Sequence, residues 1–351
     1  MNGNERFRFI IGVIYGMVKD VFTLVSGILL LEDNFGRRFH YLRLSITEAC
    51  NFRCQYCLPD GYAGPSDAHF LSLKEIETLV TGFAGLGTSK IRITGGEPSL
   101  RRDFSEIIQL CKSTPGIRRI ATTTHGGRLA KYAGKWKDAG LDQVNVSIDS
   151  LDPHQFAAIT GQDKLQDVLK GLDVAVEQGL DVKVNTVLLQ DFSPNRLQRF
   201  LTWLKDTPVT LRFIELMQTG DHARFFEAQH LSGEPLKQQL IEAGWQPLLR
   251  RKDAGPAQEF YHPDYAGRIG LIMPYSKDFC KSCNRLRVAA NGKLHLCLFS
   301  EQGIDVRSYL QKQDVKGLQA FLHEALAGKH ATHYLKEGQT GATRHLAMLG
   351  G

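Results

Sequence analysis

The stretch Tyr41-Leu-Arg-Leu-Ser-Ile-Thr-Glu-Ala-Cys50-Asn-Phe-Arg-Cys54-Gln-Tyr56-Cys57 decides how the chain is read. Tyr41–Ile46 is a β-like run, and three cysteines follow it in the order C-x3-C-x2-C. Three thiolates hold three irons of a cubane iron–sulfur cluster, which ordinarily takes four cysteines. The fourth iron is then free to bind a substrate. A C-x2-C pair alone is common in zinc sites. The three-cysteine spacing directly after a strand is accidental far less often.

Outward from this loop the chain is ordinary globular protein. Its 351 residues are 42% hydrophobic and 23% charged, enough for one large α/β domain or two smaller ones. The net charge of +6 suits an anionic ligand. Basic pairs such as Arg101–Arg102 and Arg250–Arg251 are scattered without interleaved aromatics, so nucleic acid is not the expected partner. Six of the seven cysteines fall in two tight groups, which favours metal ligation in a reducing, cytoplasmic compartment. Residues 1–35 differ in kind. Phe9–Leu31 is apolar but carries Lys19 and Asp20 at its middle, which a membrane span tolerates poorly. An amphipathic helix with Phe9, Val13, Tyr15 and Val18 competes there with a mis-assigned start or a loosely attached extension. The segment is assigned no role.

From residue 40 onward β-branched runs alternate with helical patterns. Strands are expected at Tyr41–Ile46, Lys90–Thr94, Ile120–Thr124, Gln143–Ser147, Val182–Leu188 and Thr210–Glu215. Helices are expected near Leu73–Gly85, Asp103–Lys112, Leu129–Ala139, Lys164–Gln178 and Asn195–Lys205. Six such units with right-handed crossovers make α/β architecture, a partial (β/α)6 barrel resembling part of a TIM barrel, over residues 36–220. Ligands of such sheets sit at the carboxyl ends of the strands, which is where the cysteine loop emerges. Residues 221–351 read as an α+β extension: a helix at Pro235–Ala243, a hairpin of Leu286–Ala290 and Lys293–Phe299 turning on Asn291-Gly292, two terminal helices and a Gly-Gly tail.

Several groups outside the loop carry chemistry. Thr94-Gly95-Gly96-Glu97-Pro98 ends the second strand, and its glycines let backbone approach a ligand. A second triad, Cys280-x2-Cys283-x13-Cys297, is completed by the far arm of the hairpin. Arg285 and Arg287 share one face of a strand and could clamp a polyphosphate bidentately. Taken singly, Ser147 is a helix cap, Met217 core filler and Cys111 a buried structural thiol. A rival arrangement joins Cys54, Cys57, Cys280 and Cys283 in one zinc site, leaving Cys50 and Cys297 unused.

The first triad, with aromatic Tyr56 inside it and the Gly-Gly-Glu-Pro loop one unit later, resembles the signature of the radical S-adenosylmethionine (SAM) enzymes. With the second triad, Ile214–Met217, Arg285-Leu286-Arg287 and terminal Gly350-Gly351, residues 36 to 351 resemble the GTP 3',8-cyclase family of molybdenum cofactor biosynthesis. The resemblance implies two [4Fe-4S] clusters, one on Cys50, Cys54 and Cys57, the other on Cys280, Cys283 and Cys297. It implies that Tyr56, Gly96, Ser147 and Met217 contact SAM. Arg43, Arg92, Thr123, Lys183, Arg285, Leu286 and Arg287 are then GTP contacts, with Arg285, Arg287, Gly350 and Gly351 supporting catalysis. The implied reaction cleaves SAM, moves the ribose C3' hydrogen of GTP to a 5'-deoxyadenosyl radical, and closes C3' onto guanine C8. Implied partners are a reduced flavodoxin- or ferredoxin-type donor, a downstream cyclic pyranopterin monophosphate synthase and a second copy in a homodimer. One departure stands out: Thr123-Thr124-His125-Gly126 has His125 where the family commonly carries Asn. The competing functions are a radical peptide-modifying enzyme, expected to carry more carboxyl-terminal cysteines, and a zinc-stabilised nucleotide-binding protein.

Overall fold

The computed structural model describes residues 30–64, 69–250 and 254–350; most of the apolar run Phe9–Leu31, and Gly351, lie outside them. Six strands alternate with helices: β1 (Tyr41–Ser45), α1 (Leu73–Gly85), β2 (Lys90–Thr94), α2 (Phe104–Ser113), β3 (Arg119–Thr124), α3 (Leu129–Asp138), β4 (Gln143–Ser147), α4 (Pro153–Thr160), α5 (Leu165–Glu177), β5 (Asp181–Leu188), α6 (Pro194–Asp206) and β6 (Thr210–Glu215). These strands pair in parallel, in chain order. Period-2 alternation explains their layering. Leu42, Leu44, Ile91, Ile93, Val144, Val146, Val184, Leu211 and Phe213 all join the main apolar core. Residues between them, among them Arg43, Arg92, Asn145 and Arg212, belong to the other, polar face. Helix starts are chemically marked. Ser72 and Glu75 form a reciprocal capping box on α1, and Ser193 caps α6 just before Pro194.

The carboxyl-terminal segment extends this sheet at both sides. After α7 (Ala223–Gln229) and α8 (Glu234–Glu242) come β7 (Gln246–Pro247), β8 (Gln258–Tyr261), β9 (Arg268–Ile272), β10 (Arg285–Val288), β11 (Lys293–His295) and β12 (Ile304–Asp305), then α9 (Arg307–Gln311) and α10 (Val315–Leu326). The twelve strands run β12-β11-β10-β1-β2-β3-β4-β5-β6-β9-β8-β7. β9 lies parallel to β6, and β10 parallel to β1 with Arg43 opposite Arg287. Six expected parallel strands thus become eight, with antiparallel strands at either edge. The expected hairpin is present with shorter arms: Arg287 pairs with His295, and Gly292 takes the left-handed backbone (φ +82°) that the Asn-Gly turn needs. Cys297 consequently lies past the end of β11. Among the described residues, no helix is long and apolar enough to cross a membrane.

Candidate functional site

The first triad leaves the carboxyl end of β1 in a tight turn, with Cys57 N–H donating to the Cys54 carbonyl (2.9 Å). The backbone N–H groups of Arg53 and Gln55 bond the carbonyls of Thr160 (2.9 Å) and Ile159 (3.0 Å) at the end of α4, an unanticipated helix that buttresses the loop. Tyr56 donates its phenol proton to Asp149 (2.8 Å), a carboxylate 1% exposed just beyond β4. The β2 loop lies directly on the cysteine loop: Gly96 N–H reaches Thr47 O (2.9 Å), and Glu97 N–H reaches Ala49 O (2.8 Å). A Cβ on Gly95 or Gly96 would collide with those same carbonyls, so the Gly-Gly pair is a packing requirement. Fully buried Glu97 accepts from Ser99 N–H (3.0 Å), the Thr124 hydroxyl (2.8 Å) and His125 N–H (2.8 Å), tying the β2 and β3 loops together.

His125 is integrated into the same structure. Its Nδ1 accepts from Gly127 N–H (3.0 Å), which assigns the ring proton to Nε2, the atom 2.8 Å from Asn51 Oδ1. Its ring stacks on Phe52 at 3.9 Å with planes 2° apart. The imidazole therefore grips the cysteine loop by both an edge and a face. All three thiols, with Tyr56, Gly96, Thr123, His125, Ser147, Asn185, Met217 and Gly350, line one cavity of about 890 Å³. Burial pushes Cys50 up to about 11 and Cys57 up to about 12. Cys54 is raised well above its ordinary value, by burial first and then by the Asp149 charge.

The second triad lines an adjoining cavity of about 810 Å³ with Tyr41, Arg43, Arg92, Arg212, Arg285 and Arg287. Asn185, Ile214 and Met217 line both cavities, so the triads look into neighbouring halves of one interior. Arg43, Arg92, Arg212, Arg285 and Arg287 are each no more than 8% exposed. Among the described residues, the Nε atoms of Arg92, Arg212, Arg285 and Arg287, and Nη2 of Arg212, find no hydrogen-bond partner. Buried guanidinium groups in that state call for an anion. The strain shows in their neighbours: burial raises the Tyr41 phenol, but Arg92, Lys90, Arg43 and Arg285 outweigh it and bring it to about 7. Burial and the same crowding lower Lys90 to about 8. Burial likewise opposes ionisation of Cys283, yet Arg285, Lys329 and Arg287 bring it down to about 6. At Cys280, hydrogen bonds from His333 and Thr332 outweigh burial and give about 7.

Two expected GTP contacts stand differently. Lys183 is already paired with Glu259 on β8 (2.8 Å). Leu286 turns its side chain into the apolar core at 1% exposure, leaving only its backbone to offer. Thr123 is joined to Arg92 Nη1 (3.4 Å). The tail crosses both halves: Leu346 and Leu349 pack with Ala289 and Leu298, and Gly350 O accepts from Arg43. Gly350 has φ +60°, and a Cβ there would strike Thr94. Cys111 is fully buried, away from both cavities. The single zinc site fails because Cys54–Cys57 and Cys280–Cys283 line different cavities. Sequence reasoning missed Tyr41, Asn185 and Arg212, which line the interior, and Lys90, whose Nζ lies 5.0 Å from the centre of the Tyr41 ring. Their signal was polar–apolar alternation in strands covered on both faces, where parallel strands ordinarily read as continuous apolar runs.

A partly rolled parallel sheet with a three-cysteine loop beyond its first strand defines a radical SAM enzyme, and residues 44–204 match the model of the Radical SAM superfamily. Residues 209–335 match Molybdenum Cofactor Synthesis C. The GTP 3',8-cyclase of Shewanella denitrificans is 58% identical over 325 residues, 92% of this chain and 96% of that protein. That of Vibrio vulnificus is 55% identical over 324 residues, 91% and 97% of the two chains. The chain belongs to the GTP 3',8-cyclase family. Among solved structures, Streptococcus suis SuiB bound to its precursor peptide SuiA has the same fold, with TM-score 0.62 at 12% identity over 95% of this chain and 80% of that one.

Proposed function

We infer that the chain converts GTP to 3',8-cyclo-7,8-dihydro-GTP, the opening step of molybdenum cofactor biosynthesis, with both cysteine triads and the cationic interior taking part. One observation carries the reading: two three-thiol groups look into a shared interior that also holds the buried guanidiniums of Arg92, Arg212, Arg285 and Arg287, whose Nε atoms find no hydrogen-bond partner among the described residues. Cys50, Cys54 and Cys57 hold a [4Fe-4S] cluster with one iron open, and Cys280, Cys283 and Cys297 hold a second. Three thiols on one cavity wall, with open cavity before them, suit such a cluster in each case. When bound, the first cluster supplies the electron that lets SAM yield the 5'-deoxyadenosyl radical.

The chain's own residues bind, orient and exclude water. Backbone of Gly95 and Gly96, with Ser147, Met217 and the Tyr56 segment, holds SAM. Arg43, Arg92, Arg285 and Arg287 hold the triphosphate, joined by Arg212 and Lys90. Thr123 steadies Arg92, and Lys183 joins once phosphate competes with Glu259. Leu286 contributes through its backbone. Guanine then lies toward the second triad and ribose toward Asn185 and Met217, where the two halves meet. Gly350 closes the interior with its carbonyl beside Arg43, and Gly351 supports the reaction with it, so a carbon radical meets only its intended partner. Residues 36–220 and 221–351 act as one catalytic body. The same reading proposes a cytoplasmic homodimer served by a reduced flavodoxin- or ferredoxin-type donor, its product passing to cyclic pyranopterin monophosphate synthase.

The test is anaerobic turnover of the reduced, reconstituted protein with SAM and GTP deuterated at C3'. Deuterium in 5'-deoxyadenosine together with a cyclised nucleotide is expected. Deuterium-free 5'-deoxyadenosine without that product would remove GTP as the substrate.

A further inference from the structure

Lys329 follows α10 and is 5% exposed, a rare position for an ammonium group. Its Nζ donates to the carbonyl of Leu296, the residue before Cys297, and lies 5.3 Å from the centre of the Phe39 ring. Among the described residues, the leading negative influences on it are the thiols of Cys283 and Cys297. Lys329 and all three cysteines line a cavity of about 1280 Å³ that contains none of Arg43, Arg92 or Arg212. The second triad is thus a wall between two cavities, with Arg285 and Arg287 on the interior side and Lys329 on the other.

We propose that Lys329 sets the reduction potential of the cluster held by Cys280, Cys283 and Cys297, as a fixed positive charge outside the ligand shell. The proposal rests on the two-cluster reading above. Reduction brings one electron from the external donor the activity already requires, and so adds one negative charge to the cluster. A buried ammonium nearby, poorly screened by water, stabilises that more negative state. Arg285 and Arg287 face the same thiols, but bound phosphate offsets their charge. Lys329 lies outside the substrate cavity and keeps its field throughout turnover. Its bond to Leu296 O also fixes the peptide that delivers Cys297.

The experiment is an EPR-monitored redox titration of anaerobically reconstituted full-length holoenzyme, with iron and sulfide assayed, for Lys329→Met, Lys329→Gln and Lys329→Arg. The neutral variants should move the second cluster's midpoint to more negative potential, while Lys329→Arg leaves it in place. The first cluster, identified by the signal that SAM perturbs, should not move in any of them. Unmoved midpoints at full iron content would overturn the proposal. So would an equal shift in Lys329→Arg, or neutral variants that bind no second cluster, since each assigns Lys329 to packing alone. Wild-type protein holding one cluster's iron, all lost in Cys54→Ala, would instead remove the two-cluster reading and this proposal with it.

Discussion

The two cysteine triads have the same ligand number and similar half-burial, yet they sit in opposite fields. Around the first, burial acts with the carboxylates of Glu97 and Asp149, and Cys50 and Cys57 are held at about 11 and about 12. Around the second, Arg285, Arg287 and Lys329 overcome burial and bring Cys283 to about 6. Local sequence around each triad is therefore as informative as the cysteines. An anionic, desolvated setting disfavours adding an electron, which makes the reduced centre a strong donor, as cleavage of a sulfonium demands. A cationic setting suits a centre that sits beside a polyphosphate nucleotide.

Removing one ligand from each triad is the hardest test of this asymmetry. Cys54→Ala should abolish 5'-deoxyadenosine formation, a loss of roughly 10³-fold or more. Cys297→Ala should abolish cyclised product equally but leave measurable, uncoupled 5'-deoxyadenosine. Identical losses of SAM cleavage in both variants would break the distinction. Deleting Gly350 and Gly351 should resemble Cys297→Ala in product while leaving iron content intact, because Gly350 is held by Arg43 and packs toward Thr94, neither of them a cluster ligand.

A smaller effect is expected from Arg212→Met, which removes a buried guanidinium whose Nε and Nη2 lack partners. Losing one member of a buried charge pair costs about 2–5 kcal/mol, so KM for GTP should rise roughly 30-fold or more. KM for SAM should stay level, and movement of both together would mean a general collapse of the interior.

Arg212 also shows where sequence reading stops. The six β/α units, both triads and the Asn291-Gly292 turn were legible because each is a local pattern. That β10 docks beside β1, bringing Arg287 opposite Arg43, is a non-local pairing that no window of sequence contains. α4 was missed although Asp152 caps it and Pro153 opens it, because eight residues hold little helical periodicity to read. β9, Arg268-Ile-Gly-Leu-Ile272, was hidden in Pro- and Gly-marked sequence. His125 was legible as a departure, but its grip on Asn51 and Phe52 needed the folded loops.

Protonation gives a gentler handle on the cationic half. Tyr41 ionises near 7 and Lys90 loses its proton near 8 in the ligand-free interior. Both changes subtract positive charge as pH rises, so GTP binding should weaken between pH 6.5 and 8.5, by about tenfold. SAM binding, set by the other half, should stay flat. Tyr41→Phe should remove the lower step of the profile and leave the upper one.

The smallest and most discriminating change is Asp149→Asn. Its carboxylate is held by the Tyr56 phenol, by Val187 N–H (2.9 Å) and within a shell closed by Arg196, whose guanidinium bonds the Asp149 carbonyl (3.0 Å). Burial raises this carboxyl above its ordinary range, with the Val187 and Tyr56 hydrogen bonds opposing. The amide can keep Val187 N–H on its oxygen and donate Nδ2–H to the Tyr56 phenol oxygen, so the fold should survive with a loss of about 1 kcal/mol. What disappears is the negative charge beside Cys54. The first cluster's midpoint should therefore move to more positive potential, opposite in sign to the Lys329→Met shift at the second. SAM cleavage should slow a few-fold because the reduced centre becomes a weaker donor. Shifts of the same sign in the two variants would show that burial alone, and not the sign of the surrounding charge, separates the two triads.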